Sequence, residues 1–93
     1  MGTYSISANI TFEDDSYITV GISKDHKVES VESIIEFAKF NSIEEARSTA
    51  KTDLISFAKG LDEIQLPVEI EICIELLDED GCINIVEEDI ITL

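Results

Sequence analysis

Residues 68–81 read VEIEICIELLDEDG. Val68, Ile70, Ile72, Ile74 and Leu76 occupy every second position, and Glu69, Glu71 and Glu75 fill three of the gaps. An extended chain sends alternate side chains to opposite faces, so this pattern specifies a strand with one apolar and one acidic face. Pro67 precedes it where a missing N–H is tolerated, and Asp78-Glu79-Asp80-Gly81 has the residues of a turn. Cys82–Val86 then reads as the returning strand. Glu87-Glu88-Asp89 interrupts the alternation, which predicts a bulge or an exposed edge before the final IITL.

The same period governs the beginning of the chain. Tyr4, Ile6, Ala8, Ile10 and Phe12 point one way and polar residues the other. Ile18, Val20 and Ile22 repeat the pattern after a short Asp14-Asp15-Ser16 loop. Pairing Phe12 with Ile18 aligns the two apolar sets, whereas a register shifted by one would put one set in water.

Between these hairpins the period changes. Val31, Ile34, Ile35 and Ala38 mark one side of a helix expected over 29–40, and Asn41-Ser42 ends it. Ser42-Ile43-Glu44-Glu45 is a capping box opening a second helix. Its apolar positions are Ile43, Ala46, Ala50, Leu54, Phe57, Ala58 and Leu61. Gly60 is placed to terminate it in the left-handed conformation, with Lys59 favourable at the negative helix end. LDEIQLP connects to the next strand. The expected fold is a single α+β domain over residues 1–93, in the order ββααββ. Two helices pack on one face of an antiparallel sheet and leave the other face open.

At 93 residues the chain supports one core, and its 44% hydrophobic content argues against disorder despite a net charge of −15. No apolar run approaches the ~20 residues of a membrane span, and the first residues lack a basic, apolar leader pattern. The expectation is a cytoplasmic protein. Cys73 and Cys82 are expected reduced: with Leu77 facing Cys82 and Cys73 facing Val86, the thiols sit roughly 10 Å apart. Sixteen Ile against six Leu, and five Lys against one Arg, suit an AT-rich coding sequence.

The charge is unevenly placed. Residues 24–59 hold seven acids and six bases. Residues 1–23 hold three acids and no base, and residues 60–93 hold eleven acids and no base. Fourteen of the fifteen excess charges therefore belong to the strands and their connections. Solubility accounts for part of this, since negative charge keeps small proteins apart. It does not account for the missing lysines. Opposite charges paired across strands stabilise by roughly 0.2–1 kcal/mol and like charges oppose folding similarly.

Few chemistries are signalled. His26 stands alone in SKDHK, Ser48, Thr52 and Ser56 have no base nearby in sequence, and no phosphate loop or serine elbow is present. No enzymatic activity and no cofactor are expected. Setting Gly81 on the glycine of a calcium loop aligns Asp78, Asp80, Ile83 and Glu87, but the first ligand position falls on Leu76 and strands flank the loop. That leaves at most loose, low-affinity divalent-cation association and no metal site. Two cysteines and a distant histidine make no zinc site.

Recognition of a basic protein surface fits best. Same-face strand residues recur every ~6.6 Å, near the step between phosphates of a nucleic acid, so a carboxylate row can imitate a phosphate backbone. The candidate partner-binding residues are Glu69, Glu71, Glu75, Asp78, Glu79 and Asp80, extended by Glu87, Glu88 and Asp89. Leu77, Cys73, Cys82 and Val86 would place an apolar centre among them. The partner would be a basic protein, including nucleic-acid-binding ones; nucleic acid itself would be repelled. In size and acidity the chain is similar in type to the inhibitors that phages make against bacterial defence nucleases. The alternative is an assembly module that forms a homodimer through its sheet, with acidity serving only solubility.

Overall fold

The computed structural model describes residues 2–61 and 66–93. Strands β1 (Thr3–Phe12) and β2 (Tyr17–Ile22) form the first hairpin, followed by a short β3 (Val28–Ser30). Helix α1 (Ile43–Gly60) comes next, then β4 (Pro67–Leu77) and β5 (Ile83–Thr92). All neighbours are antiparallel, in the order β3-β2-β1-β4-β5. The chain is α+β as expected, but its order is βββαββ with one helix. The connection expected at LDEIQLP lies largely outside the described residues.

Even-numbered residues of β1, β2 and β4 make the core. Ile6, Ala8, Ile10, Phe12, Val20, Ile22, Ile70, Ile72 and Ile74 are all buried against α1 or its surroundings. The helix answers with Ala46, Ala50, Leu54 and Ala58, one residue per turn. Three alanines in four contact positions let the helix axis come close to the sheet, with Leu54 as the one large side chain. Ser42 caps the helix by accepting the Glu45 N–H at 3.1 Å. Gly60 does not terminate it in the left-handed region. It is the last helical residue, and Leu61 caps the end in a right-handed conformation.

The first hairpin keeps the expected faces in a different register. Ile10, not Phe12, lies opposite Ile18, a slip of two residues that leaves every apolar side chain on the core side. The Phe12 N–H donates to the Ser16 carbonyl at 2.8 Å, and Asp15 adopts φ 70°. Asp is one of the few residues that takes this conformation readily.

The expected helix over 29–40 is absent. Only a tight turn forms there, with the Ser33 N–H donating to Ser30 and that of Ile34 to Val31. Those bonds span three residues, so one turn suffices to give Val31, Ile34 and Ile35 helical spacing. The chain then extends and enters the sheet between the ends of β1 and β2. The Lys24 N–H donates to the Glu36 carbonyl, that of Ala38 to Ile22, and Tyr4 and Phe40 exchange two bonds at 2.8 and 2.9 Å. Ala38 and Phe40 are buried while Lys39 between them is exposed, a period of two. The competing demand was the backbone of Tyr4, Ile22 and Lys24, which a helix would have left unpaired.

Candidate functional site

The sheet face away from α1 carries the odd-numbered residues. On β1 these are Thr3, Ser5, Ser7, Asn9 and Thr11; on β4 they are Glu69, Glu71, Cys73, Glu75 and Leu77. Strand β5 adds Thr92, Ile90 and Glu88, which lie opposite Glu69, Glu71 and Cys73. The register then shifts between Ile74 and Glu75, leaving Val86 without an opposite residue. Beyond it Ile85 faces Glu75 and Ile83 faces Leu77. The turn extends from Asp78 to Cys82, one residue longer than expected, so Leu77 pairs with Ile83 rather than Cys82. The bulge at Val86 shifts the pairing once more, sets Cys73 opposite Glu88 rather than Val86, and exchanges which parity faces outward. Ile83 and Ile85, not Cys82 and Val86, stand beside Leu77 on the open face.

The bulge also separates the acids of Glu87-Glu88-Asp89. These are consecutive strand residues, so they alternate between faces. Glu87 and Asp89 point to the helix side. There Arg47 donates to both oxygens of Glu87, from Nε at 2.8 Å and from a terminal nitrogen, and Lys51 Nζ lies 3.8 Å from Asp89. The Arg47 hydrogen bond holds the Glu87 carboxyl below its usual pKa, with the Arg47 and Lys51 charges adding to it. The Arg47 guanidinium is raised in turn. Both carboxylates thus serve to attach the edge strand to α1.

Glu88 goes the other way. It sits opposite Cys73, in the gap that the cysteine leaves in the row Glu69, Glu71, Glu75. The Cys73 thiol registers this: burial raises its pKa most, then the charges of Glu75 and Glu88, while a hydrogen bond with Ser7 opposes them and Glu71 adds to them. Among the described residues no cation lies within ion-pair distance of Glu69, Glu71, Glu75 or Glu88. Helix α1, by contrast, carries as many bases as acids, Arg47, Lys51 and Lys59 beside Glu44, Glu45 and Asp53.

At the hairpin tip, Asp78 is engaged in the turn itself. Its Oδ1 accepts the N–H groups of Asp80 and Cys82, both at 2.9 Å, and Gly81 takes φ 83°. Asp80 is exposed at the tip. No group of His, Cys, Asp or Glu arranged to hold a metal occurs among the described residues. Cys73 and Cys82 are both free thiols. His26 has φ 61° and sets its ring edge-on to Phe40, with centroids 5.7 Å apart.

A groove of about 310 Å³ crosses the open face between β4 and segment 36–40. Ser5 and Ser7 line its floor, Leu77 and Ile83 one wall, and Phe37 and Lys39 the other. Ile35, fully exposed, stands at its lip, and Ile83 is 64% exposed. Sequence periodicity does not show this wall, because Ile35 and Phe37 fall within the stretch 29–40 that reads as a helix. The signal available was Gly21. A β-carbon there would lie 2.5 Å from the Phe37 ring, so a glycine inside an apolar strand marked a close approach over that face.

No family model, curated protein or solved structure matches this chain. Among the described residues no helix is long and apolar enough to cross a membrane.

Proposed function

We propose that this protein binds a basic protein through its open sheet face, and that the carboxylates there stand in for the phosphates of a nucleic acid. The observation that carries this reading is the contrast between the two faces of the β4–β5 pair. Glu87 and Asp89 on the helix side have Arg47 and Lys51. Glu69, Glu71, Glu75 and Glu88 on the open side have no cation of their own among the described residues. Uncompensated like charges on neighbouring strands oppose folding, and a basic partner reverses that cost on binding. Leu77, Ile83 and Ile85 beside them supply the apolar centre that a protein interface needs. The binding group is Glu69, Glu71, Glu75 and Glu88, with Asp80 at the rim.

The test is charge reversal with competition. Glu69, Glu71 and Glu75 are changed together to Lys, and the wild-type and variant proteins are used to retain proteins from a cell lysate. The wild type retains basic proteins that double-stranded DNA or RNA displaces; the variant does not. Equal retention by the two would show that the open face plays no electrostatic part. Retention that nucleic acid leaves untouched would remove the mimicry and keep only the basic partner.

A further inference from the structure

We propose that β5 accepts an extended, lysine- or arginine-bearing segment of a protein partner as a sixth strand of the sheet. This rests on the basic-partner reading above and names how such a partner is held.

Strand β5 is the last strand of the sheet and has a neighbour on one side only. The Leu93 N–H donates to the Val68 carbonyl at 2.9 Å, which sets the alternation along the pair. Ile91, Asp89 and Glu87 therefore turn their backbone groups toward β4, opposite Ile70, Ile72 and Ile74. Glu88, Ile90 and Thr92 turn theirs outward. The same three residues send their side chains to the open face, and Ile90 is 58% exposed. A strand laid along β5 would meet the outward N–H groups of Glu88 and Thr92 and the outward C=O groups of all three residues. The Ile90 N–H donates to Asp89 Oδ1 at 3.0 Å, a bond that an added strand would have to replace.

Natural edge strands are protected by charged side chains, lysine above all, and by proline, a bulge or a covering loop. The charges on β5 are all acidic, which deters an acidic strand and admits a basic one. The bulge at Val86 interrupts the edge on one side, but Glu87–Leu93 contains no lysine or proline. Charge then selects the occupant. The β5 of a second copy brings no cation, because residues 60–93 hold eleven acids and no base, so no register of β5 against β5 neutralises Glu88. A basic strand does so directly. Its alternate side chains lie beside Glu88 and Ile90 on the open face, within reach of Glu71 on the next strand. On the other face, half-exposed Asp89 accepts the Ile90 N–H at Oδ1 and has Lys51 3.8 Å from Oδ2, a long contact that leaves room for a second cation.

The probe is an end-blocked, fluorescent eight-residue peptide of alternating Lys and Ile or Val, compared with one carrying Glu in place of Lys. Two further versions carry N-methyl groups on one or the other alternate set of residues, so that each blocks one edge of the extended peptide. Binding is followed by fluorescence anisotropy. The basic peptide binds, the acidic one does not, and one methylated version loses affinity by at least about tenfold while the other retains it. Loss in both methylated versions or in neither overturns strand addition, as does failure of the basic peptide or binding of the acidic one. The Glu69, Glu71 and Glu75 to Lys variant separates the two levels. If it binds the basic peptide undiminished, the electrostatic reading falls; if it loses binding while neither methylation matters, only the strand addition falls. Sedimentation of the free protein completes the test. A dimer dissolved by Ile90→Pro, which removes one outward N–H, would assign the edge to a second copy and overturn the proposal.

Discussion

Arg47 and Glu87 lie forty residues apart and meet in a two-pronged ion pair that ties the N-terminal half of α1 to the edge strand β5. Because Arg47 lowers the Glu87 pKa, the linkage has a definite sign. The stabilisation is present above the ordinary glutamate value of about 4.3 and is lost as pH falls through the depressed folded value. Protonating the many other carboxylates relieves repulsion and acts in the opposite direction, so the comparison must be internal. Thermal midpoints of the wild type and of Glu87→Gln, followed from pH 6 to pH 3, should converge toward the acid end. Amide exchange in β5 should be faster in the variant at pH 6. Parallel curves would show that the pair contributes nothing.

Two glycines predict opposite outcomes for the same substitution. Among the described residues, and apart from the adjoining backbone, nothing lies within 4 Å of where a β-carbon would stand on Gly60 or Gly81. Gly60 ends α1 without a positive φ, so Gly60→Ala should stabilise by about 0.5–1 kcal/mol through helix propensity and a less flexible unfolded chain. Gly81 holds φ 83°, and Gly81→Ala should cost roughly 1–2 kcal/mol. Urea denaturation of the two variants reads both signs.

The convergence of carboxylates on Cys73 has a chemical readout. Carboxylates oppose the thiolate, so removing them lowers the thiol pKa. Glu75→Gln with Glu88→Gln should therefore speed iodoacetamide alkylation of Cys73 several-fold at pH 8, with Cys82→Ser in the background to isolate the signal. An unchanged rate would mean that Glu88 does not face the cysteine.

Gly21 and Phe37 should be energetically coupled. A methyl group at Gly21 would meet the Phe37 ring at 2.5 Å and Ile34 at 3.1 Å, so Gly21→Ala should destabilise by roughly 1–3 kcal/mol. In a Phe37→Ala background most of that cost should vanish. Additive effects in the double-mutant cycle would place the ring elsewhere.

The strands were readable because burial on one face imposes a two-residue period, which Ile6–Phe12 and Ile70–Ile74 keep without exception. In Val20–Ile22 only Gly21, covered by Phe37, is buried out of turn. Helix α1 was readable from Ser42 and the four-residue recurrence of Ala46, Ala50, Leu54 and Ala58. Residues 29–40 misled because a single tight turn mimics helical spacing over a few residues, while the partners of that segment, Tyr4, Ile22 and Lys24, are distant in sequence. The site was half legible. Glu69, Glu71 and Glu75 share a strand and hence a face, but Glu88 could be set apart from Glu87 and Asp89 only by knowing where the bulge falls.

The order of residues alone determined that the excess negative charge lies outside the helix, because composition along the chain is a local property. It also determined which residues of each strand share a side, since that follows from backbone geometry. Only the tertiary structure decided which of those sides is neutralised. Arg47 and Lys51 are spaced one helical turn apart and meet Glu87 and Asp89, two positions apart on a strand, because packing sets α1 alongside β5 at that height. Charge pairing acts through space, and no local pattern specifies which distant side chains will be neighbours.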